Sequence, residues 1–222
     1  MSQSQASHIA VSFRNIHNII TRGLKVSIES VSGVIQHGFQ DAGRREGLFN
    51  FIRALCSVLS SHHLTEDEIA FPYFREKMPE APFDILVRGH QEIVEILGEI
   101  KLALDKCEKN DQLETNLKNL EEALVRLDDL WQPHIQMETV RFISKADALV
   151  PVEEQLRLVE QFAQHGVKLA VPATLTVPFL LYNLPLEDRE VFSRGIPAEV
   201  LQHLVPVVWK AQWESMKPYL LE

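Results

Sequence analysis

The chain has 222 residues, with 31 acidic against 22 basic side chains and a net charge of −9, the size of one or two domains. Without a basic stripe to neutralise phosphates, no nucleic-acid partner is expected. Apolar residues make up 45% and charged residues 24% of a chain with only 9 Gly and 11 Pro, a balance that excludes disorder and implies a full core.

The apolar pattern reads as four long helices. From residue 8 to about 37, Phe13, Ile16, Ile20, Leu24, Ile28, Val31 and Ile35 recur at steps of three and four, the mark of an amphipathic helix. After the turn HGFQDAG, the spacing resumes with Leu48, Phe51, Ile52, Leu55, Val58, Leu59 and Ile69, and Pro72 is expected to end this second helix. KMPEAP breaks the chain, and Phe83, Leu86, Ile93, Leu97, Ile100 and Leu104 form a third stripe. The fourth carries Leu113, Leu117, Leu120, Leu124, Leu127 and Trp131 and runs to about residue 148, with a kink expected at Pro133. Short loops between helices of this length imply antiparallel neighbours, an all-α four-helix bundle over residues 1–150.

Residues 151–222 differ in character. A helix is expected over 151–166, followed by the apolar segment GVKLAVPATLTVPFLLYNLP, whose prolines argue against a membrane span. Two short amphipathic helices follow. This extension is expected to pack on the bundle rather than fold independently, as a brace or as the roof of an apolar pocket. Two cysteines, Cys56 and Cys107, form no CxxC and no disulfide framework, and MSQSQASH has no basic segment leading into an apolar one. A cytoplasmic, reducing setting is expected.

Histidines occupy positions where the stripes call for leucine. His17 lies between Phe13 and Ile20, His62 follows Leu59, His90 lies between Leu86 and Ile93, and His134 follows Trp131. Glu66 and Glu138 each stand four residues after a histidine, on the same helix face. At ~1.5 Å per residue, His17 and His62 both lie roughly 30 Å from the first turn, and His90 and His134 lie at matching distances from the third. One histidine from each helix and two carboxylates therefore converge on one layer of the core. Imidazole and carboxylate without thiolate suit iron, manganese or zinc, and two carboxylates among helix-borne histidines point to a dinuclear centre, with iron the first choice.

The order His, His-x-x-x-Glu, His, His-x-x-x-Glu, in IHNII, SSHHLTEDEIAFPYF, RGHQEI and PHIQMETVRF, resembles the hemerythrin-like (HHE cation-binding) family. The resemblance implies two non-haem irons, one on His17 and His62 and one on His90 and His134, with Glu66 and Glu138 bridging. Oxygen-carrying members have two histidines a turn apart on the third helix, whereas His90 has Leu86 and Val94 at that spacing. One iron is thus expected to lack a ligand, as in the family's sensor and enzymatic branches. His63, turned by about 100° from His62, is expected at the edge of the site or exposed, with a reserve role as the missing ligand. Asp67 and Glu68 read as a solvated face, and no pattern supports His8, His37, His165 or His203.

The function so implied is binding or sensing of oxygen, iron or redox state. The alternatives are an oxidase, oxygenase or peroxide-decomposing enzyme acting on dioxygen, peroxide or an apolar small molecule, and a metal-independent reaction in the bundle cavity.

Overall fold

The structure, a computed structural model, describes residues 9–221. Four long helices make the bundle: α1 (Ile9–His37), α2 (Ala42–Thr65), α3 (Phe83–Glu108) and α4 (Leu113–Glu138). No strand occurs among the described residues. The expected start of the first helix at His8 lies outside them.

Local chemistry explains the first turn. Gly38 takes a positive φ of 74° that ends α1 without Cβ strain, its N–H bonding to Val34 O. Asp41 then caps α2 by accepting from the Arg44 amide at 2.7 Å. Helix α3 buries a single face, Phe83, Leu86, His90, Ile93, Ile100 and Leu104. By contrast, α2 buries residues almost all round, among them Leu48, Phe49, Phe51, Ile52, Ala54 and Leu55, because the bundle covers one side and the C-terminal segment the other.

Two π turns interrupt the long helices. One spans Glu66–Ala70 directly after α2, where the Phe71 amide reaches back to Glu66 O, and the other spans Thr139–Ile143 directly after α4, where the Ser144 amide reaches Thr139 O. Each holds one residue more than an α turn. Helical structure resumes after both, as Phe71–Arg75 and Ser144–Leu149. Pro72 therefore does not end the second helix. Its missing donor and bulky ring fall after the widened turn, where they are accommodated. Nor does Pro133 interrupt α4: the irregularity comes six residues later, after Glu138.

The apolar core is split. One cluster contains Ile20, Leu24, Leu59, Ile93, Leu127 and Trp131, and a second contains Phe13, Phe71, Phe74, Leu86, Phe142 and Phe162. The histidines and glutamates singled out above follow one cluster and precede the other on every long helix, so a polar layer is sealed between two apolar ones.

Residues beyond the bundle form α5 (Val152–Leu169), α6 (Ala173–Tyr182), α7 (Leu186–Phe192), a π-helical segment Val200–Val208, the short α8 (Lys210–Trp213) and a 3₁₀ turn Glu214–Tyr219. Of these, α5 lies along α2 beside the polar layer. The rest packs on the flank made by α1 and α2. Phe179 stacks edge-on against Phe51 and closes on Gly23, and the backbone of Ser215 sits against Gly47. Arg22 ties this segment down through Asn183 and the Tyr219 carbonyl. Residues 173–219 thus flank the bundle rather than roof a pocket beside the histidines. No helix among the described residues is long and apolar enough to cross a membrane.

Candidate metal centre

All six residues expected in the layer meet there. His17, His62, Glu66 and Glu138 form one buried group whose potential ligand atoms lie within 4.8 Å of one another, and His90 and His134 belong to a second such group with His63. His63 is 2% exposed and stacks on His90 with ring centroids 3.9 Å apart. The expectation that it sits at the edge or in solvent is therefore corrected. A rotation of about 100° from His62 carries it from the face toward α1 to the face toward α3 and α4, where it stands 5.4 Å from the His134 ring.

The two glutamates lie between the groups. Glu138 places Oε2 3.1 Å from His17 Nε2 and Oε1 3.0 Å from His134 Nε2. Glu66 places Oε1 3.5 Å from His62 Nε2 and Oε2 3.4 Å from His90 Nε2. Each carboxylate thus offers one oxygen to each group. The remaining close pair, His90 Nε2 and His134 Nε2, is 3.1 Å apart. Donors about 2.1 Å from a common ion at ordinary coordination angles stand roughly 3.0–3.4 Å from each other, and these separations match.

The donor atoms fit a metal in a second respect. His17 Nε2, His62 Nε2, both nitrogens of His63 and all four oxygens of Glu66 and Glu138 are buried without a hydrogen-bond partner. Unmet, each such atom costs about 1–3 kcal/mol, and native cores do not collect them in one place. A pair of cations is the partner that nitrogen lone pairs and carboxylate oxygens share.

Electrostatics in the metal-free layer follow from the same crowding. Burial pushes Glu66 well above the usual carboxylate range, and the neighbouring Glu138 pushes it further. Burial would raise Glu138 too, but the nearness of His134, His17 and His90 outweighs it and holds this carboxyl well below its ordinary value. Burial, reinforced by His17, lowers His62, and burial with His90 lowers His63. For His90 burial is outweighed by the hydrogen bond to Asp67 and by Glu138, so its pKa is raised. The layer therefore holds one proton on Glu66, an ionised Glu138 and neutral rings at His62 and His63, which leaves imidazole lone pairs ready for a metal.

Three surrounding contacts fix the ligand atoms. Asp67 Oδ1 lies 2.8 Å from His90 Nδ1 and orients that ring with Nε2 toward the glutamates. Asp67 is thus a third carboxylate of the site, bound to His90 and not part of a solvated face. Gly89 lets the His134 ring approach α3, since a Cβ there would stand 2.9 Å from His134 Nδ1. Trp131, fully buried and donating to Thr21 Oγ1 at 2.9 Å, forms the wall shared by His17, His62, His63 and His134. Phe13 closes the opposite side, 6.1 Å from both His17 and His62.

Of the other histidines, His37 is exposed at the end of α1 and His203 is exposed in the C-terminal segment, while His8 lies outside the described residues. Cys107 is buried, as its pattern suggests, and Cys56 is half-buried. Burial raises the Cys56 thiol to about 12 and the Cys107 thiol to about 11, so neither is a thiolate ligand at neutral pH.

No curated protein and no solved structure shows a significant similarity to this sequence. The sequence model of the family described as Hemerythrin HHE cation binding domain matches residues 8–146, the bundle and the whole histidine–glutamate layer. The match covers more than half of the 222 residues, and the chain belongs to the hemerythrin HHE cation-binding domain family.

Proposed function

We propose that this protein is a non-haem dinuclear iron protein that binds dioxygen or a related small oxidant at the iron held by His17 and His62. The observation that carries this reading is the disposition of Glu66 and Glu138, each of which directs one oxygen to each histidine group. Two carboxylates shared in this way would hold two ions side by side and neutralise part of their charge. Manganese or zinc meets the same donors, but only a redox-active metal gives such a site chemistry with oxygen.

His63 alters the expected balance between the two positions. With His63, His90, His134 and an oxygen from each glutamate, one ion would have five protein donors, whereas His17, His62 and the other two oxygens would offer four to the other. An open position would thus fall on the His17 and His62 side, opposite to where the lone His90 on the third helix would put it. When bound, iron supplies the reversible electron transfer to oxygen that no side chain of this layer has. The protein's part is to hold the donors. Phe13 and Trp131 keep bulk water from the His17 and His62 side, Asp67 fixes the His90 ring, and Glu66 gives up its proton as the metals load.

Binding or sensing is favoured over oxidation of an organic substrate by the placement of residues 173–219 on the flank. A depression of about 240 Å³ that His134 borders is lined by α3 and α4 residues, including Arg88, Glu92 and Pro133, and by none from the C-terminal extension. Metal-independent chemistry is disfavoured by the eight unpartnered donor atoms.

Anaerobic loading with ferrous iron followed by elemental analysis tests the reading. Two irons per chain are expected, with a visible absorption band appearing on exposure to oxygen or azide. The His63→Ala variant is expected to keep one iron firmly and hold the other weakly. A wild-type chain that takes up no metal after loading refutes the dinuclear proposal, and steady consumption of peroxide would move it toward an enzyme.

A further inference from the structure

The C-terminal extension reaches the end of α2 beside the metal layer. Helix α5 runs antiparallel to α2 and its continuation, and hydrogen bonds clasp the two: Tyr73 Oη donates to Glu154 Oε1 at 2.6 Å, Ser61 Oγ to Gly166 O at 2.8 Å and Ser57 Oγ to Val171 O at 2.9 Å. Between the first two of these contacts, His165 meets the junction where α2 widens into its π turn. His165 Nδ1 lies 3.0 Å from Thr65 Oγ1 and Nε2 lies 2.8 Å from Glu68 Oε2. Thr65 is anchored in turn, donating to Ser61 O at 2.8 Å.

Thr65 and Glu68 bracket Glu66 and Asp67. Those two consecutive residues do different work: Glu66 turns inward between the two histidine groups, and Asp67 reaches across to His90 Nδ1. Their directions depend on the π turn, because an i→i+5 turn carries an extra residue and is intrinsically less favourable than continued α-helix. Slipping back to α geometry shifts the register by one residue, about 100° around the axis, and removes one of the two carboxylates from its target. A single imidazole reaching in from α5 holds both ends of this stretch.

We propose that His165 is a positioning residue of the metal centre: by bridging Thr65 and Glu68 from outside the bundle it holds the π turn in the register that aims Glu66 and Asp67. This inference rests on the dinuclear reading of the layer. It gives the extension a function at the site, and by thermodynamic reciprocity metal loading must strengthen the docking of α5 by the same factor that α5 strengthens metal binding.

The test uses the full chain and compares His165→Ala with Ser57→Ala, which loosens the α2–α5 contact away from the π turn. Hydrogen exchange of the amides over 66–70 is followed in metal-free protein, and ferrous-iron affinity is measured anaerobically against a competing chelator. His165→Ala is expected to speed exchange over 66–70 and to lower iron affinity roughly 10–100-fold, the usual effect of losing a residue that orients metal ligands. Ser57→Ala is expected to do neither, and His165→Gln, which can still donate to Glu68, should recover part of the loss. Where the alanine variant loses the fold, Glu68→Ala, which removes the exposed acceptor of His165 Nε2, carries the same comparison. If the wild type binds two irons and His165→Ala binds them with equal affinity, the positioning role is wrong while the dinuclear reading stands. If the wild type binds none, both fall together.

Discussion

Gly89→Ala separates the needs of the fold from those of the metal centre. Gly89 lies inside α3, immediately before His90, and a methyl group built on it would stand 2.9 Å from His134 Nδ1 and 3.4 Å from His134 Cε1. The ring must then retreat by ~0.5 Å or more to regain ordinary contact, which is the whole tolerance of a preorganised ligand set. In metal-free protein that movement is inexpensive, because His134 borders the depression between α3 and α4. Replacing an interior helical glycine with alanine should meanwhile stabilise α3 by up to ~1 kcal/mol. In loaded protein the same displacement takes His134 Nε2 away from its shared position 3.1 Å from His90 Nε2. We therefore expect iron affinity to fall about 10–100-fold, equivalent to roughly 1.4–2.7 kcal/mol, with no loss of metal-free stability. Calorimetric melts with and without ferrous iron, beside a chelator competition titration, read both quantities. A variant that binds iron like the wild type would show that Gly89 does not set the ring, and an equal fall in both melting temperatures would point to simple overpacking.

Other perturbations test different layers of the reasoning. In metal-free protein, His62 and His63 have lowered pKa values, so as pH falls below ~6.5 the unfolded state takes up protons that these folded rings refuse and stability should fall with acidification, an effect partly offset by Glu66, whose raised value favours the folded state as pH drops. His90 has the opposite sign, its contribution being present below pH ~6.5 and lost as pH rises through its raised value; thermal melts from pH 5 to 8 that stay flat would contradict the assigned protonation states. Of the three tryptophans, Trp131 is the one packed against four of the site histidines, so Trp131→Phe should abolish most of the fluorescence change on metal loading, and persistence of the full change would place the metal elsewhere. At Gly47 a Cβ would stand 1.8 Å from the Ser215 carbonyl oxygen, so Gly47→Ala should destabilise the chain by about 1–3 kcal/mol through overpacking while leaving iron content unchanged; loss of iron in that variant would mean the flank and the centre are coupled.

The bundle and its polar layer were legible because both rest on regular geometry. A 3.6-residue period places Phe13, His17 and Ile20 on one face, and a fixed rise per residue brings His17, His62, His90 and His134 to one level. What sequence missed lies where that regularity fails or where partners are distant in the chain. A π turn inserts one residue without disturbing the apolar composition, so Ile69 and Pro72 read as the tail of an unbroken helix, and Asp67 read as solvated although the widened turn carries it to His90. Pro72 was the one local signal, since proline disfavours a standard turn around it. His165 shows no periodicity because its partners, Thr65 and Glu68, lie about a hundred residues away, and a single sequence records no such pairing.

His63 is the more instructive case. Turning it away from the site followed from treating α2 as a helix with one inward face, the rule for a surface helix. That premise fails for α2, whose buried positions run nearly round its circumference between the bundle and the C-terminal flank. On such a helix adjacent residues can both face protein, and His62 and His63 then enter the two different buried groups rather than one group and solvent. The signal was present in composition: the run from Leu48 to Leu59 holds Phe49 and Ala54 beside the periodic stripe, more apolar surface than one face can use. Under the proposed reading, a second histidine in a helix of that kind would supply from α2 the donor that α3 lacks at Leu86 and Val94. His63 is accordingly covered by α3 and α4, against His90, Trp131 and His134, while the C-terminal segment covers the other side of α2.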